Sequence, residues 1–288
     1  MLTNIGSLEN RGVELALNGY VVDTRSFQWN LGFNVAYNQN EITKTIGDED
    51  ETFLGIQYGG ISGGTGTTIQ VLRKGESVSS FFVYEHILDA NGLPRSDQVD
   101  YNEDGATNLL DIYIDQNGDG AINESDRVVY ESALPNLTYG LTSRMNYKNF
   151  DLNFTLRAST GNFVYNNVLS GNSARQNVTN QSSPPSNLLV RGLLVDFEEP
   201  QYLSDYYVED ASFLRMDNIT LGYNFPLAGK GLSLRLYVTA QNLFVLTEYT
   251  GLDPEIGNRA GSGLPELGID RDIFPRARTI IFGGNLEF

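Results

Sequence analysis

Phe27-Gln28-Trp29-Asn30-Leu31-Gly32-Phe33-Asn34-Val35-Ala36-Tyr37-Asn38 alternates at every step. Its odd positions are all apolar or aromatic, and its even positions are Gln, Asn, Gly and Ala. Successive side chains of a strand point to opposite faces, so this stretch predicts a β-strand with one apolar face and one small or polar face. Phe150, Leu152, Phe154, Leu156 and Ala158 repeat the pattern against Asp151, Asn153, Thr155, Arg157 and Ser159. So do Ile219 to Phe225, Leu232 to Gln241 and Ile280 to Phe288. Weaker strands fit Gly12 to Val22, Thr67 to Arg73, Ser79 to Ile87 and Tyr139 to Tyr147. The expectation is about nine or ten strands of about ten residues, the length of a tilted membrane-spanning strand. Asn162 to Ser170 is the one short helix candidate.

Two kinds of connection separate these strands. Thr24 to Ser26, Lys148-Asn149 and Ala228 to Gly231 are short. Asn38 to Thr65, Leu88 to Leu137, Thr160 to Val208 and Val245 to Ala277 are long. Short turns on one side and long loops on the other mark a transmembrane barrel, whereas a compact soluble domain rarely holds several long structureless connections. The competing reading is a secreted calcium-binding β-sandwich for adhesion or scaffolding, whose strands also alternate. Against it, the polar faces carry Asn, Gln, Thr, Ser and Gly rather than Lys and Glu, and aromatics gather near strand ends: Phe27, Trp29, Tyr37, Tyr139, Tyr147, Phe150, Tyr223, Phe225 and Phe288. Aromatic girdles at the membrane interfaces explain that placement. The fold expected is therefore all-β, an antiparallel transmembrane barrel wall.

Composition narrows the function. The chain of 288 residues carries a formal charge of −17, which argues against nucleic acid as a partner. It has no cysteine and one histidine, His86, so disulfide frameworks, thiol chemistry and histidine-rich metal sites are poorly supplied. No nucleophile, base and orienter set is visible, and no enzyme is expected. Asp253 with Glu255, and Asp210 with Asp217, resemble the carboxylate pairs of glycosidases, but an acidic chain yields such pairs by chance and they receive no catalytic role. Gly59 to Gly66 lacks the Gly-Lys-Ser/Thr of a phosphate loop and reads as a flexible connection. The opening Met1 to Gly6 has neither a basic nor an apolar segment, so no export signal is read there.

Several segments, in order, resemble SusC/RagA-type TonB-dependent receptors: Asn4 to Glu14, Trp29 to Asn40, Tyr113 to Asp126, Pro135 to Asn153, Val208 to Gly222, Ala240 to Glu255 and Asp270 to Phe288. VEDASFLRMDNITLG and AQNLFVLTEYTGLDPE are the most specific, and the closing stretch resembles the family's close, with Pro275-Arg276 before the final strand. The resemblance spans nearly the whole chain. It implies the C-terminal portion of a plugged barrel of about 22 strands. The plug, the TonB box and the other strands of such a barrel have no counterpart in residues 1–288. It further implies import of oligosaccharides or peptides across the outer membrane of a Gram-negative, Bacteroidetes-like bacterium. The partners implied are a SusD-like surface lipoprotein, the TonB-ExbB-ExbD system, the barrel-assembly machinery and the lipid bilayer. Gly283, Leu286 and the terminal Phe288 resemble the signal read by that machinery, with Ile281 departing where a polar residue is usual.

One segment carries metal chemistry. Asp115, Asn117, Asp119, Ala121, Asn123 and Asp126 fall at positions one, three, five, seven, nine and twelve of a calcium loop, with Gly120 at position six. Calcium takes oxygen ligands, and alternate residues of a tight loop converge their side chains; Ala121 would offer its carbonyl. Asp126 replaces the usual glutamate at position twelve, so the spacing looks like that of dockerin loops, and the expected role of Ca2+ is to pin a long exterior loop.

Overall fold

The computed structural model describes residues 6–50, 52–63, 66–180, 184–226, 232–257, 264 and 266–288. Several sequence readings fall wholly or partly outside these: the first residues of the chain, residues 51, 64 and 65 of the Asn38 to Thr65 connection and so the middle of the Gly59 to Gly66 loop, residues 181–183 of the Thr160 to Val208 connection, the 228–231 turn, and part of the last long connection. In chain order the strands are β1 (Ser7–Asp23), β2 (Phe27–Lys44), β3 (Ile56–Gly60), β4 (Thr68–Leu72), β5 (Ser80–Tyr84), β6 (Arg127–Ser132) and β7 (Leu137–Tyr147). They continue with β8 (Phe150–Thr160), β9 (Phe163–Asn166), β10 (Val208–Asp210), β11 (Phe213–Pro226), β12 (Ser233–Thr247), β13 (Ile269–Asp270) and β14 (Thr279–Glu287). Two short helices, α1 (Asn167–Gly171) and α2 (Gln176–Thr179), follow β9.

Seven strands form one antiparallel sheet in the order β1-β2-β7-β8-β11-β12-β14. Their register aligns the apolar rows across the whole width. Leu17 faces Phe33, Phe33 faces Leu141, and Leu141 faces Leu156. Leu152 faces Leu221, Leu221 faces Val238, and Val238 faces Phe282. Among the described residues no second layer covers this face. Val13 is 72% exposed and Phe282 81%. A soluble sandwich buries such a face against another sheet, so the sandwich reading is not favoured and the sheet is a barrel wall. No helix among the described residues is long and apolar enough to cross a membrane.

The short turns lie together at one end, where Thr24 N–H donates to the Phe27 carbonyl and Lys148 takes a φ of 53°. There the rings of Phe27 and Tyr147 pack at 6.3 Å, Phe150 and Tyr223 at 4.6 Å, and Tyr223 and Phe225 at 4.5 Å. This is one of the expected girdles. At the opposite end β1 and β2 run on past the apolar rows, pairing Ser7 to Gly12 with Lys44 to Asn38, and there, apart from Leu8 opposite the buried Ile42, most residues are polar.

The long connections are folded rather than structureless. β3-β4-β5-β6 make a second sheet and β10-β9-β13 a third, with β9 and β13 parallel. Ile69, Phe81, Val83, Tyr165, Leu169, Val195, Phe197, Tyr207 and Ile269 form their common core. Two expectations change here. The segments 67–73 and 79–87 are not membrane strands: they hold five-residue strands of this layer, buried on both faces. Asn162 to Ser170 is a strand, β9, before it is a helix, because Val164 and Tyr165 pair with β10 and β13 while Asn166 caps α1 by accepting from Leu169 N–H at 2.9 Å.

Candidate functional site

The loop at 115–126 closes on its own side chains. The Asp115 carboxylate accepts from Gly118 N–H at 2.7 Å and Gly120 N–H at 2.8 Å. Asn117 accepts from Asp119 N–H at 2.8 Å, and Asp119 from Ala121 N–H at 2.9 Å. Gly118 and Gly120 take φ of 72° and 82°, a region that a side chain resists. Asn123 caps the turn Glu124–Asp126 and accepts from Ser125 N–H, while the buried Asp126 accepts from Gln116 and Asn123 N–H at 3.0 and 2.8 Å. Amide donors, Gly120 N–H first, hold the Asp115 carboxyl below its usual range. The loop thus brings all six sequence-chosen residues into one turn system. Its carboxylates are engaged with amides, and no group of three or more acidic or imidazole side chains among the described residues is gathered as a ready metal cage. Each carboxylate oxygen keeps a further lone pair, so the donor chemistry suits a hard cation.

A twin of this loop lies just upstream. Asp100, Asn102, Asp104, Gly105, Asn108 and Asp111 have the spacing of Asp115, Asn117, Asp119, Gly120, Asn123 and Asp126. The bonds repeat position by position: Asp100 accepts from Gly105 N–H at 2.8 Å, Asn102 from Asp104 N–H at 3.0 Å, and Asp104 from Ala106 N–H at 3.0 Å. Asn108 caps the turn Leu109–Asp111, and the buried Asp111 accepts from Tyr101, Asn102 and Asn108 N–H. Glu103, at φ 61°, stands where Gly118 stands in the second copy. Sequence reading passed over this copy; the repeated spacing, 15 residues from Asp100 to Asp115, is the signal that finds it.

On the polar face of the long sheet a charged cluster joins wall to loop. Arg157 of β8 and Arg215 of β11 are direct cross-strand partners. Like charges so placed repel, and three carboxylates offset them. Asp217, the extra residue of a β-bulge between Met216 and Asn218, pairs with Arg157 at 2.5 Å. Asp253 pairs with Arg215 at 2.6 Å, both side chains nearly fully buried. Glu255 forms ion pairs with Arg157, Arg215 and Arg276 at 3.0, 2.8 and 2.9 Å. Of the carboxylates that resembled glycosidase pairs, Asp253, Glu255 and Asp217 are therefore occupied in ion pairs, and Asp210 accepts from Ser212 N–H at 2.7 Å. Beside them, between wall and loop layer, lies a cavity of about 900 Å3 whose lining includes Asn34, Thr142, Arg157, Asn162 and Glu255.

No family model matches the chain. Among curated proteins it is 37% identical over 298 residues to the TonB-dependent receptor SusC of Bacteroides thetaiotaomicron, an alignment that takes in all of this chain and 27% of the relative. It is 31% identical to the TonB-dependent receptor P3 of Formosa agariphila, again over the whole chain and 29% of the relative. Among solved structures, that of the RagAB peptide importer in its closed-closed state matches with a TM-score of 0.66 at 21% identity, over 99% of this chain and 30% of that one. The chain belongs to the SusC/RagA family of TonB-dependent receptors. It spans less than a third of the length of these relatives.

Within this SusC/RagA barrel wall, the three residues likened to an insertion signal sit on β14. Gly283 lies opposite Tyr237, whose ring occupies the space that a Cβ would need, so the glycine also has a packing reason. Leu286 faces Leu234 on the apolar side, and Phe288 is 98% exposed at the turn end of the sheet. His86 is not in a site. It is buried between Phe197 and Tyr113, with Nδ1 2.9 Å from Ser204 Oγ and Nε2 3.2 Å from the Arg95 carbonyl. Burial lowers its pKa to about 4, so it stays neutral and ties two long connections together.

Proposed function

We propose that this chain is part of the wall and exterior loop layer of an outer-membrane nutrient importer. The observation that carries this is the pairing of one uncovered apolar face, seven strands wide, with a polar face that meets the loop layer across a cavity. Lipid takes the first face and an aqueous, plugged lumen the second. The cargo class is oligosaccharide, with peptide the neighbouring choice because a solved relative is a peptide importer. A SusD-like surface lipoprotein covers the loop side, TonB-ExbB-ExbD supplies energy through the plug, and the barrel-assembly machinery reads Gly283, Leu286 and Phe288. The chain's role is passage and binding rather than catalysis, which fits relatives named as receptors. The test is insertion: refolded with detergent or liposomes, the chain acquires β signal and heat-modifiable mobility. A water-soluble, monodisperse protein without detergent sinks the reading.

Calcium is the proposed resident of the 115–126 loop, held by Asp115, Asn117, Asp119, the Ala121 carbonyl, Asn123 and Asp126. Bound there, the cation offsets the three aspartates and fixes the connection that covers the wall. Calcium should slow proteolysis between Leu88 and Leu137. Identical digestion with calcium and with chelator ends the proposal. Asp115→Ala separates the copies, since any protection left in that variant belongs to the 100–111 loop.

A further inference from the structure

The turn end of the long sheet has a charge pattern of its own. The turn between β1 and β2 holds Arg25, and the turn between β7 and β8 holds Lys148. The two turns touch, because Lys148 N–H donates to the Ser26 carbonyl at 3.0 Å beside the cross-strand pair Phe27 and Tyr147. Both backbones are fixed. The Thr24 hydroxyl donates to the Phe27 carbonyl at 2.8 Å and accepts from Phe27 N–H at 3.0 Å. Lys148 holds its φ of 53°, a left-handed conformation that a non-glycine residue keeps only where its surroundings impose it. Both cations are exposed, and among the described residues neither has an ion-pair partner.

The acids near these turns point elsewhere. Asp23 lies opposite Gln28 and accepts from its amide at 2.9 Å, and Glu287 lies opposite Ser233 and accepts from its hydroxyl at 3.3 Å. Both therefore stand on the polar face. The apolar face at this end carries the rings of Phe27, Tyr147, Phe150, Tyr223 and Phe225. Lys148 leans onto it, with its ammonium 5.3 Å from the centre of the Tyr147 ring, a cation–π distance. At the loop end the sign reverses. There β1, β2 and the residues that follow carry Glu9, Glu41, Asp48, Glu49 and Asp50 against Arg11 and Lys44. Two unpaired cations beside a belt of rings, at the rim of a lipid-facing sheet, complement an anionic phosphate attached to acyl chains. A long cationic side chain lays its stem on apolar surface and keeps its head at the interface, and its attraction to an anionic lipid surface is screened by salt. Short turns lie on the periplasmic side of an outer-membrane barrel, which fixes the leaflet.

We propose that Arg25 and Lys148 form a headgroup site for an anionic phospholipid of the periplasmic leaflet. The proposal rests on the reading of the apolar face as lipid-facing and names the lipid held at its turn-end rim. Trp29, the chain's one tryptophan, is two residues from Phe27 on the same face, so phospholipids brominated in their acyl chains quench its emission on contact. The chain is inserted into vesicles of phosphatidylcholine and phosphatidylglycerol in equal parts, with the bromine on one lipid or on the other. Quenching should show a preference for phosphatidylglycerol of at least about threefold. The preference should fall toward parity in Arg25→Gln with Lys148→Gln and, in the unaltered chain, at high salt. Lys44→Gln with Lys74→Gln, at the loop end, should keep it whole, and heat-modifiable mobility shows that each variant is inserted. Where the double variant does not insert, the two single variants and the salt series of the unaltered chain decide. Equal quenching by the two lipids overturns the proposal alone, even where inorganic phosphate binds the two cations. A preference that survives in the double variant overturns the site, as does one lost equally in the loop-end variant. Quenching by neither lipid overturns the lipid-facing reading of the wall, and the proposal with it.

Discussion

In β2, Phe33 and Asn34 are neighbours on opposite faces, one packed in an apolar row and the other exposed on the polar side. In β5, Phe81 and Phe82 are neighbours and both are wholly buried. The two strands come from one chain and have similar backbones, but they answer to different solvents. The long sheet has one face for lipid and one for the lumen, so each step along a strand changes medium. The short sheets of the loop layer are covered on both sides, so each step stays inside protein. Hydrophobicity in the wall is a matter of direction, and in the loop layer a matter of depth.

Truncation separates the two regimes most strongly. Phe81→Ala and Phe82→Ala should each cost about 3–5 kcal/mol, the range for deleting a buried aromatic. The second is expected to cost as much as the first, because the Phe82 ring also lies under the Arg127 guanidinium at 4.3 Å. Thermal melting of the loop layer, followed by near-ultraviolet dichroism, measures both. If one of the pair is nearly neutral, the layer is one-faced like the wall and the comparison fails.

Charge separates them in the other direction. Leu141→Arg puts a guanidinium in the middle of the apolar rows, between Phe33 and Leu156. It should lower the stability of the inserted chain by about 2–4 kcal/mol, the cost of Arg near the bilayer midplane. Thr142→Arg, one residue on, faces the side where Arg144 and Arg157 already stand and should change stability by about 0.5 kcal/mol or less. Folding into vesicles under a urea gradient reads both. Equal losses would mean that the two faces do not meet different media.

The loop layer should also respond to acid where the wall does not. His86 has its pKa lowered by burial to about 4, below the unfolded value near 6.5. Protons therefore bind the unfolded state first, and the contribution of His86 is whole above about pH 6.5 and falls away as pH drops toward about 4, by up to about 3 kcal/mol. Asp205, whose carboxylate accepts from His86 N–H at 3.0 Å, is raised by burial to about 6. It acts with the opposite sign, losing stability as pH rises from its unfolded value through about 6. In Asp205→Asn the histidine effect stands alone and the acid loss steepens. A pH profile unchanged in His86→Phe would remove His86 from the account.

These contrasts also explain what the sequence disclosed. The wall was legible because its two faces meet different media, and Phe27 to Tyr37 records that at every second residue. The turns at Thr24 to Ser26 and Lys148-Asn149 were legible for the same reason, since each falls where alternation stops. β4 and β5 were read as membrane strands because Ile69 to Val71 and Phe81 to Val83 are apolar enough, and nothing local says that both faces are covered by residues distant in sequence. The carboxylates Asp253 and Glu255 were visible as a motif, but their partners were not. That needed the register setting Arg157 opposite Arg215 and the bulge freeing Asp217. The 115–126 loop was found from the spacing of Asp115, Asn117, Asp119 and Gly120, and its twin was passed over although Asp100, Asn102, Asp104 and Gly105 repeat that spacing.

The smallest effect tests the exception within the wall. Ser143 lies in the apolar rows, opposite Leu31, and is nevertheless 1% exposed. The Trp29 indole covers it and donates to its hydroxyl at 3.0 Å. A hydroxyl facing lipid without a partner carries a desolvation cost, and an indole N–H has the same need. Each group therefore makes the other tolerable on that face. Ser143→Ala leaves the indole N–H without its acceptor and should cost about 1 kcal/mol. Trp29→Phe leaves the hydroxyl without its donor and should cost a similar amount beyond the lost ring area. The double variant should cost less than the two single variants together, because no orphaned group remains. Trp29 is the chain's one tryptophan, so its emission should move to shorter wavelength in Ser143→Ala. Strict additivity with unmoved emission would mean that the two side chains do not meet, and that Ser143 stands in the apolar row unaided.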